Sequence, residues 1–213
     1  LSLTRTSLRE QIKEILLARI LNGEYRPGDR LVELQIAQEF GTSQAPVRES
    51  LRELEALGFV ESAPYRGTRV RAVTKDELAE IYPVRAALEE VAARAAAQRL
   101  DGNVAALVAE LAAMHREADS GNLYEEVRHD VEFHRLIVAA SGNRVLQDVW
   151  QSLRIEARTL ISAIATEIDL HEIAEMHRPV LEALAARDGM LAGRLIREHI
   201  EFFGTKVLNL YKE

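Results

Sequence analysis

The sequence predicts a mainly α-helical protein in two parts, a winged helix-turn-helix over residues 1–73 and an all-α antiparallel helical bundle over residues 74–213. Three observations predict it. Helical periodicity with recognisable end signals recurs along most of the chain. Strand-like alternation is confined to the stretch between Gly58 and Val73. Charge is unevenly divided: residues 1–73 carry 11 Lys+Arg against 10 Asp+Glu, and the remaining residues carry 16 against 24. An anionic partner is therefore expected on the first part, through local clustering rather than bulk charge.

In the first part, "SLREQIKEILLARILNGEYRPG" reads as a helix with Ser7 and Glu10 as a capping box and Gly23 as its stop. Pro27-Gly28 makes a turn, and "LVELQIAQEFG" is a second, short helix closed by Gly41. A third helix begins at the N-cap residue Ser43, carries Pro46 in its first turn and stops at Gly58. Its Val47, Leu51 and Leu54 share an apolar face, whereas Gln44, Arg48 and Arg52 form a separate polar stripe. Phe59–Ser62 and Thr68–Val73 read as two strands around "APYRG", with Arg66 exposed at the turn. Such a third helix has the size to enter a DNA major groove, presenting Ser43, Gln44, Arg48 and Arg52. The plainer reading is a solvated helix face, since Glu49, Glu53 and Glu55 lie nearby.

From Thr74 the chain shows six amphipathic segments, approximately 75–100, 103–120, 122–141, 143–166, 170–187 and 189–212. Thr74 and Glu77 form a capping box, and Pro83 is expected to kink the first segment. In "HDVEFHRLIVAASGN", Asp130 and His134 fall at i, i+4 on a face shared with Val127, Phe133 and Ile137. His177 shares a face with Ile173, Val180, Leu181 and Leu184, and His199 with Leu195, Ile196, Phe202 and Phe203. Three histidines and an aspartate thus point into the bundle from three helices. A lone inward histidine is usually a hydrogen-bonded core residue. Four such groups could share one divalent ion, with donors that suit zinc, nickel or, less tightly, manganese. His115, His129 and His171 are read as surface residues, and Glu126 and Glu132 fall off the inward face.

Composition limits the alternatives. At 213 residues, 47% apolar and 29% charged, the chain has the make-up of an ordinary globular protein and the length for two modest domains. With no cysteine, disulfides and thiolate metal sites are excluded and a reducing, cytoplasmic setting is expected. No stretch has the roughly 18 uncharged apolar residues of a membrane span.

The stretch "APVRESLRELEALGFVE" followed by "YRGTRV" resembles the DNA-binding domain of the GntR family of bacterial transcriptional regulators, over nearly all of residues 7–73. The resemblance implies that Arg48 and the N-terminal residues of the third helix touch operator DNA. It also implies that Arg66 and Gly67 in the wing reach the minor groove. Gln44 departs from an arginine common in the family, and Leu34 lies where a basic residue is usual, which bears on the operator sequence. The order Asp-x-x-x-His, His, His on successive helices is similar to the ligand-sensing domain of the FadR subfamily. That resemblance implies a divalent metal on Asp130, His134, His177 and His199 and a small carboxylate effector held by the metal and nearby polar residues. Arg85 matches an arginine near the family's cavity, or else pairs with Glu89 at the surface; Asn143 matches the subfamily, or else caps the following helix. Six helices point to the VanR-like branch. The expected whole is a repressor that binds double-stranded operator DNA as a homodimer, because two-fold operators call for two-fold proteins. Two rivals stand beside it: a metal-dependent hydrolase bundle, and a regulator whose metal is purely structural.

Overall fold

The computed structural model describes residues 7–63, 65–166 and 169–210, without the side chains at 165 and 166. They form two compact units, Leu1–Ala72 and Val73–Glu213.

In the first unit, α1 (Leu8–Leu21) starts where Ser7 Oγ accepts the Glu10 N–H at 3.2 Å. A short strand β1 (Arg30–Leu31) leads into α2 (Glu33–Glu39), and α3 (Gln44–Leu57) follows Ser43. Ser43 stands at the N-cap position, but its side chain makes no cap hydrogen bond. Gly58 ends α3 with φ of 91°, a conformation that costs a residue without Cβ nothing. Ile12, Leu16, Val47, Leu51, Leu54 and Phe59 bury the inner faces of α1 and α3. Two further strands, β2 (Val60–Ala63) and β3 (Gly67–Val70), pair antiparallel, with Val60 opposite Val70 and Ala63 opposite Gly67. β2 is thus shifted from its expected bounds, and β3 is both shifted and shorter than expected. The sheet also has three strands rather than two, in the order β1-β3-β2. A two-residue strand is too short to show alternation in sequence. Pro64, in the turn between β2 and β3, lies outside the described residues.

The second unit is helical throughout its described residues: α4 (Lys75–Leu100), α5 (Ala105–Ser120), α6 (Leu123–Ala140), α7 (Arg144–Ser152), α8 (Ile155–Thr166), α9 (Leu170–Met176), α10 (Arg178–Ala185) and α11 (Gly189–Leu210). Two of the six expected segments are therefore each broken in two, and the helix count that pointed to the VanR-like branch does not hold. The segment 143–166 breaks at Arg154, whose φ of 47° no α-helix accommodates. The segment 170–187 breaks at His177 because Pro179, second in α10, has no N–H to donate and its ring collides with the carbonyl one turn back. α4, by contrast, runs as one helix through Pro83. The last two residues of the segment 189–212 lie outside the described residues.

α4 is the spine, packed against α6, α7, α10 and α11. Its buried Ala86, Ala92, Ala93, Ala96 and Ala97 let neighbours approach closely. On α11, Gly204 lies so near α4 that a Cβ there would sit 2.8 Å from Tyr82 Cγ. Close packing of α4, α6 and α11 sets their inward polar side chains within reach of one another.

α6 buries Val127, Asp130, Phe133, His134 and Ile137, the face the spacing predicts. It also buries Glu126, which corrects the expectation that this residue falls off the inward face. Glu126, Asp130 and His134 stand at i, i+4 and i+8, so one stripe carries all three. Glu132 stays half-buried and pairs with Arg135. Both Glu126 carboxylate oxygens are buried without a hydrogen-bond partner. Burial, and secondarily the charge of Asp130, pushes this carboxyl up to about 9.

An unfolded glutamate ionises near 4.3. The folded chain therefore keeps a proton that the unfolded chain releases as pH rises from about 4.3 toward 9. The stability contributed by this group is full below that window and lost progressively through it. Glu126→Gln, which cannot ionise, is expected to be more stable than the natural chain at pH 7, with the gap closing near pH 4. Urea midpoints at both pH values, in chelator, measure this; a gap independent of pH would show the folded carboxyl to be ionised.

Candidate metal centre and DNA interface

Asp130 and His134 come from α6, His177 from the α9–α10 junction and His199 from α11. All four are buried, and one ligand-type atom from each lies within 4.8 Å of the others. His177 Nε2 is 3.0 Å from Asp130 Oδ1 and 3.2 Å from His134 Nε2, and His134 Nε2 is 3.8 Å from the same aspartate oxygen. The break at Pro179 matters here, since it sets His177 at a helix junction. Phe133 packs edge-on against the rings of His134 and His177.

The other ring nitrogens of His177 and His134 are already committed. His177 Nδ1 donates to the carbonyl of Ile173 at 2.9 Å, and His134 Nδ1 bonds to the buried carboxylate of Glu89. Since both acceptors take the Nδ1 proton, the two Nε2 lone pairs face each other and the aspartate oxygen. Three acceptors converging in a dry site repel unless a cation stands among them. A proton could serve two of them. It would leave His199, whose Nδ1 is buried without a partner, unsatisfied. Burial, with His177 and His134 beside it, holds His199 well below the usual histidine range, and burial also lowers His134, so these two rings are neutral rather than cationic. Asp130 is held at about 2: burial works upward, but the adjoining His177 and His134 and the Arg85 guanidinium prevail. Three imidazole nitrogens and one carboxylate oxygen fit zinc or nickel.

Glu89, read in the sequence only as a surface partner of Arg85, has a buried role that reading missed. It is fully buried and accepts from Arg85 Nε at 2.8 Å and Trp150 Nε1 at 2.7 Å besides His134. Burial pulls its carboxyl up, yet His134 and Arg85 hold it at about 2. Its spacing four residues after Arg85 was the legible signal. Arg85 does pair with Glu89, but inside the bundle and not on the surface. With Asp130, Thr159, His199 and Phe203 it lines a cavity of about 10 Å³, roughly one water's worth of space. Asn143 does not line it; exposed, it accepts the Leu146 N–H at 3.1 Å and caps α7, the second of its two readings. On its other side His199 borders an outer groove of about 330 Å³ with Met176, Pro179, Val180, Leu195 and Phe202. Of the other histidines, His171 is exposed; His115 and His129 are half-buried beside Glu175 and Glu110.

In the first unit Ser43, Gln44, Arg48 and Arg52 are all exposed along α3, and Arg66 and Gly67 are exposed at the β2–β3 turn. β1 and β3 add arginines that sequence reading passed over. Arg30 stands directly opposite Arg69, a pairing of like charges that destabilises a bare sheet. The Arg30 side chain lies over Gly67, where a Cβ would come within 3.2 Å of its Nε. Arg69 donates to the carbonyl of Gly28, and Glu61 opposes it from β2. Arg30, Arg66 and Arg69 thus form a basic strip along the wing.

Residues 8–70 match the gntR family of bacterial regulatory proteins, and residues 80–202 match the FCD domain. A probable D-xylose utilization operon transcriptional repressor of Paenarthrobacter nicotinovorans is 37% identical over 93% of this chain and 88% of its own length. Among solved structures, Escherichia coli McbR/YncC superposes with a TM-score of 0.73 at 26% identity, covering 97% of this chain and 99% of that one. A GntR structure from Rhodococcus sp. RHA1 superposes with a TM-score of 0.74 at 21% identity over 96% and 99%, which shows the shared fold. A three-helix unit with a basic wing, followed by a helical unit matching FCD, places the chain in the GntR family of bacterial regulatory proteins, as a DNA-binding transcriptional regulator and not an enzyme.

Proposed function

We propose that this regulator is a cytoplasmic homodimer that represses transcription by binding a two-fold operator, and that its helical unit senses a small carboxylate through a divalent metal. The observation that carries the metal is the convergence of Asp130, His134, His177 and His199 with their other hydrogen-bonding atoms committed or orphaned. Zinc or nickel is the expected ion, with manganese as the weaker fit. When bound it would supply a Lewis-acidic coordination position for a carboxylate oxygen. Arg85, beside Asp130 and His199 at the cavity, would pair with the same carboxylate. The groove bordered by His199 offers ion and effector an entry path. Repression follows the name of the Paenarthrobacter relative. The boundary between Ala72 and Val73, one residue before the expected one, would separate reading from sensing. No described helix is long and apolar enough to cross a membrane.

At the DNA, Ser43, Gln44, Arg48 and Arg52 would enter the major groove, with Arg66 and Gly67 at the minor groove and Arg30 and Arg69 extending the phosphate contact. Arg48→Ala is expected to lose about 1–3 kcal/mol of discrimination between a duplex enriched from a random pool and a shuffled one. Arg66→Ala and Arg30→Ala should weaken both duplexes alike and flatten the salt dependence. Undiminished discrimination in Arg48→Ala would remove α3 as the recognition helix.

Purified protein is expected to carry about one divalent ion per chain. His134→Ala or His199→Ala should lose it, and chelation should lower the melting temperature, because the converging acceptors lose their shared cation. Elemental analysis and thermal melts decide; protein that takes up none of zinc, nickel or manganese and melts unchanged has no such site.

A cavity of about 10 Å³ also favours a second reading, a metal that only staples the bundle. The two are separated by screening carboxylates, sugar acids among them, for an effect on DNA affinity. A sensing metal predicts that an active acid changes operator affinity by about 5–150-fold. That response should vanish in Asp130→Ala while basal DNA binding persists. Equal responses in both proteins would leave the metal structural.

A further inference from the structure

Arg48, the residue on which major-groove reading rests, is not free in the DNA-free chain. Its Nε donates to both oxygens of Glu33, at 3.1 and 3.0 Å, and its Nη2 donates to Oε2 at 2.7 Å. Glu33 raises the Arg48 guanidinium above its ordinary range. The pair bridges the first residue of α2 to the fifth of α3, two helices locked by the buried Ile36, Ala37, Val47 and Leu51. The side chains are 51% and 29% exposed, so the pair adds little to stability. An acid on a face that meets a polyanion also costs binding to any DNA. Its value must lie in what it does to the arginine.

A guanidinium has five N–H donors in one plane. A carboxylate gripping the Nε–Nη2 edge leaves the Nη1–Nη2 edge free and fixes its plane. That edge presents two parallel donors, the match for the O6 and N7 acceptors of a guanine in the major groove. Without Glu33 the same side chain would sweep over many rotamers and meet the nearest phosphate. We infer that Glu33 is a specificity-determining positioning residue: it holds the Arg48 fork for a guanine edge and discourages indiscriminate phosphate binding. This rests on α3 being the recognition helix.

The test uses the full chain and two duplexes, one enriched from a random pool on the intact protein and one shuffled. Glu33→Gln keeps the shape and removes the charge. It is expected to bind the shuffled duplex more tightly and the enriched duplex about tenfold more weakly, with an unchanged melting temperature. Arg48→Lys, which keeps the charge but lacks the fork, should lose the preference too. In an Arg48→Ala background, Glu33→Gln should change the preference no further, as a double-mutant cycle reports. If Glu33→Gln strengthens both duplexes equally, Glu33 merely neutralises Arg48 and the inference is overturned; the same follows if Arg48→Lys keeps the full preference, which decides the matter should Glu33→Gln fail to fold. A preference that survives Arg48→Ala overturns the recognition helix itself, and the two failures are thereby distinguished.

Discussion

A carboxylate shut away from water must be held by donors, and Glu89 is held by three groups from three helices: Arg85 one turn before it on α4, Trp150 on α7 and His134 on α6. Removing such a charge from water costs several kcal/mol even after relaxation. The cost is offset only while all three partners stay in place. Glu89 therefore fixes the azimuth of α6 and α7 about the α4 spine. It also fixes which nitrogen of His134 carries the proton, and so which lone pair faces Asp130 and His177. The candidate metal centre is organised from one residue that would not itself touch the ion.

The same carboxylate limits what the cavity can do. Arg85 divides its guanidinium between Glu89 and the space it shares with Asp130, Thr159 and His199. An anion arriving there meets an arginine already half-committed and a volume near that of one water. Binding there would have to open that space, and a bundle that opens would have two states for a ligand to choose between. The side of the site with least to lose is His199: it is the most exposed of the four, at 7%, and borders the outer groove.

The DNA-reading unit solves a different electrostatic problem. Its surface gathers arginines where a free protein gains nothing from them, as in the Arg30–Arg69 pair across the wing. Elsewhere it spends acids among them, as with Glu33. On the proposed reading, repulsion in the one and orientation in the other would be released or used only against a polyanion whose groove presents ordered acceptors.

Residue pattern alone determined the helix periods, the caps at Ser7 and Thr74, the wing after Gly58 and the inward histidines with Asp130, because each depends on neighbours within one or two turns. The same i, i+4 logic places Glu126 inward, four residues before Asp130, where the expectation set it off that face. What tertiary structure alone decided is of longer range. β1 exists only because β3 lies beside it, and Glu89 joins His134 across 45 residues of chain. Arg48 meets Glu33 only because α2 and α3 cross. Whether Arg85 pairs inside or outside could not be read from an i, i+4 spacing that serves both equally. Local sequence sets which way a side chain leaves its helix; packing decides whether water, a partner or another helix is there to meet it.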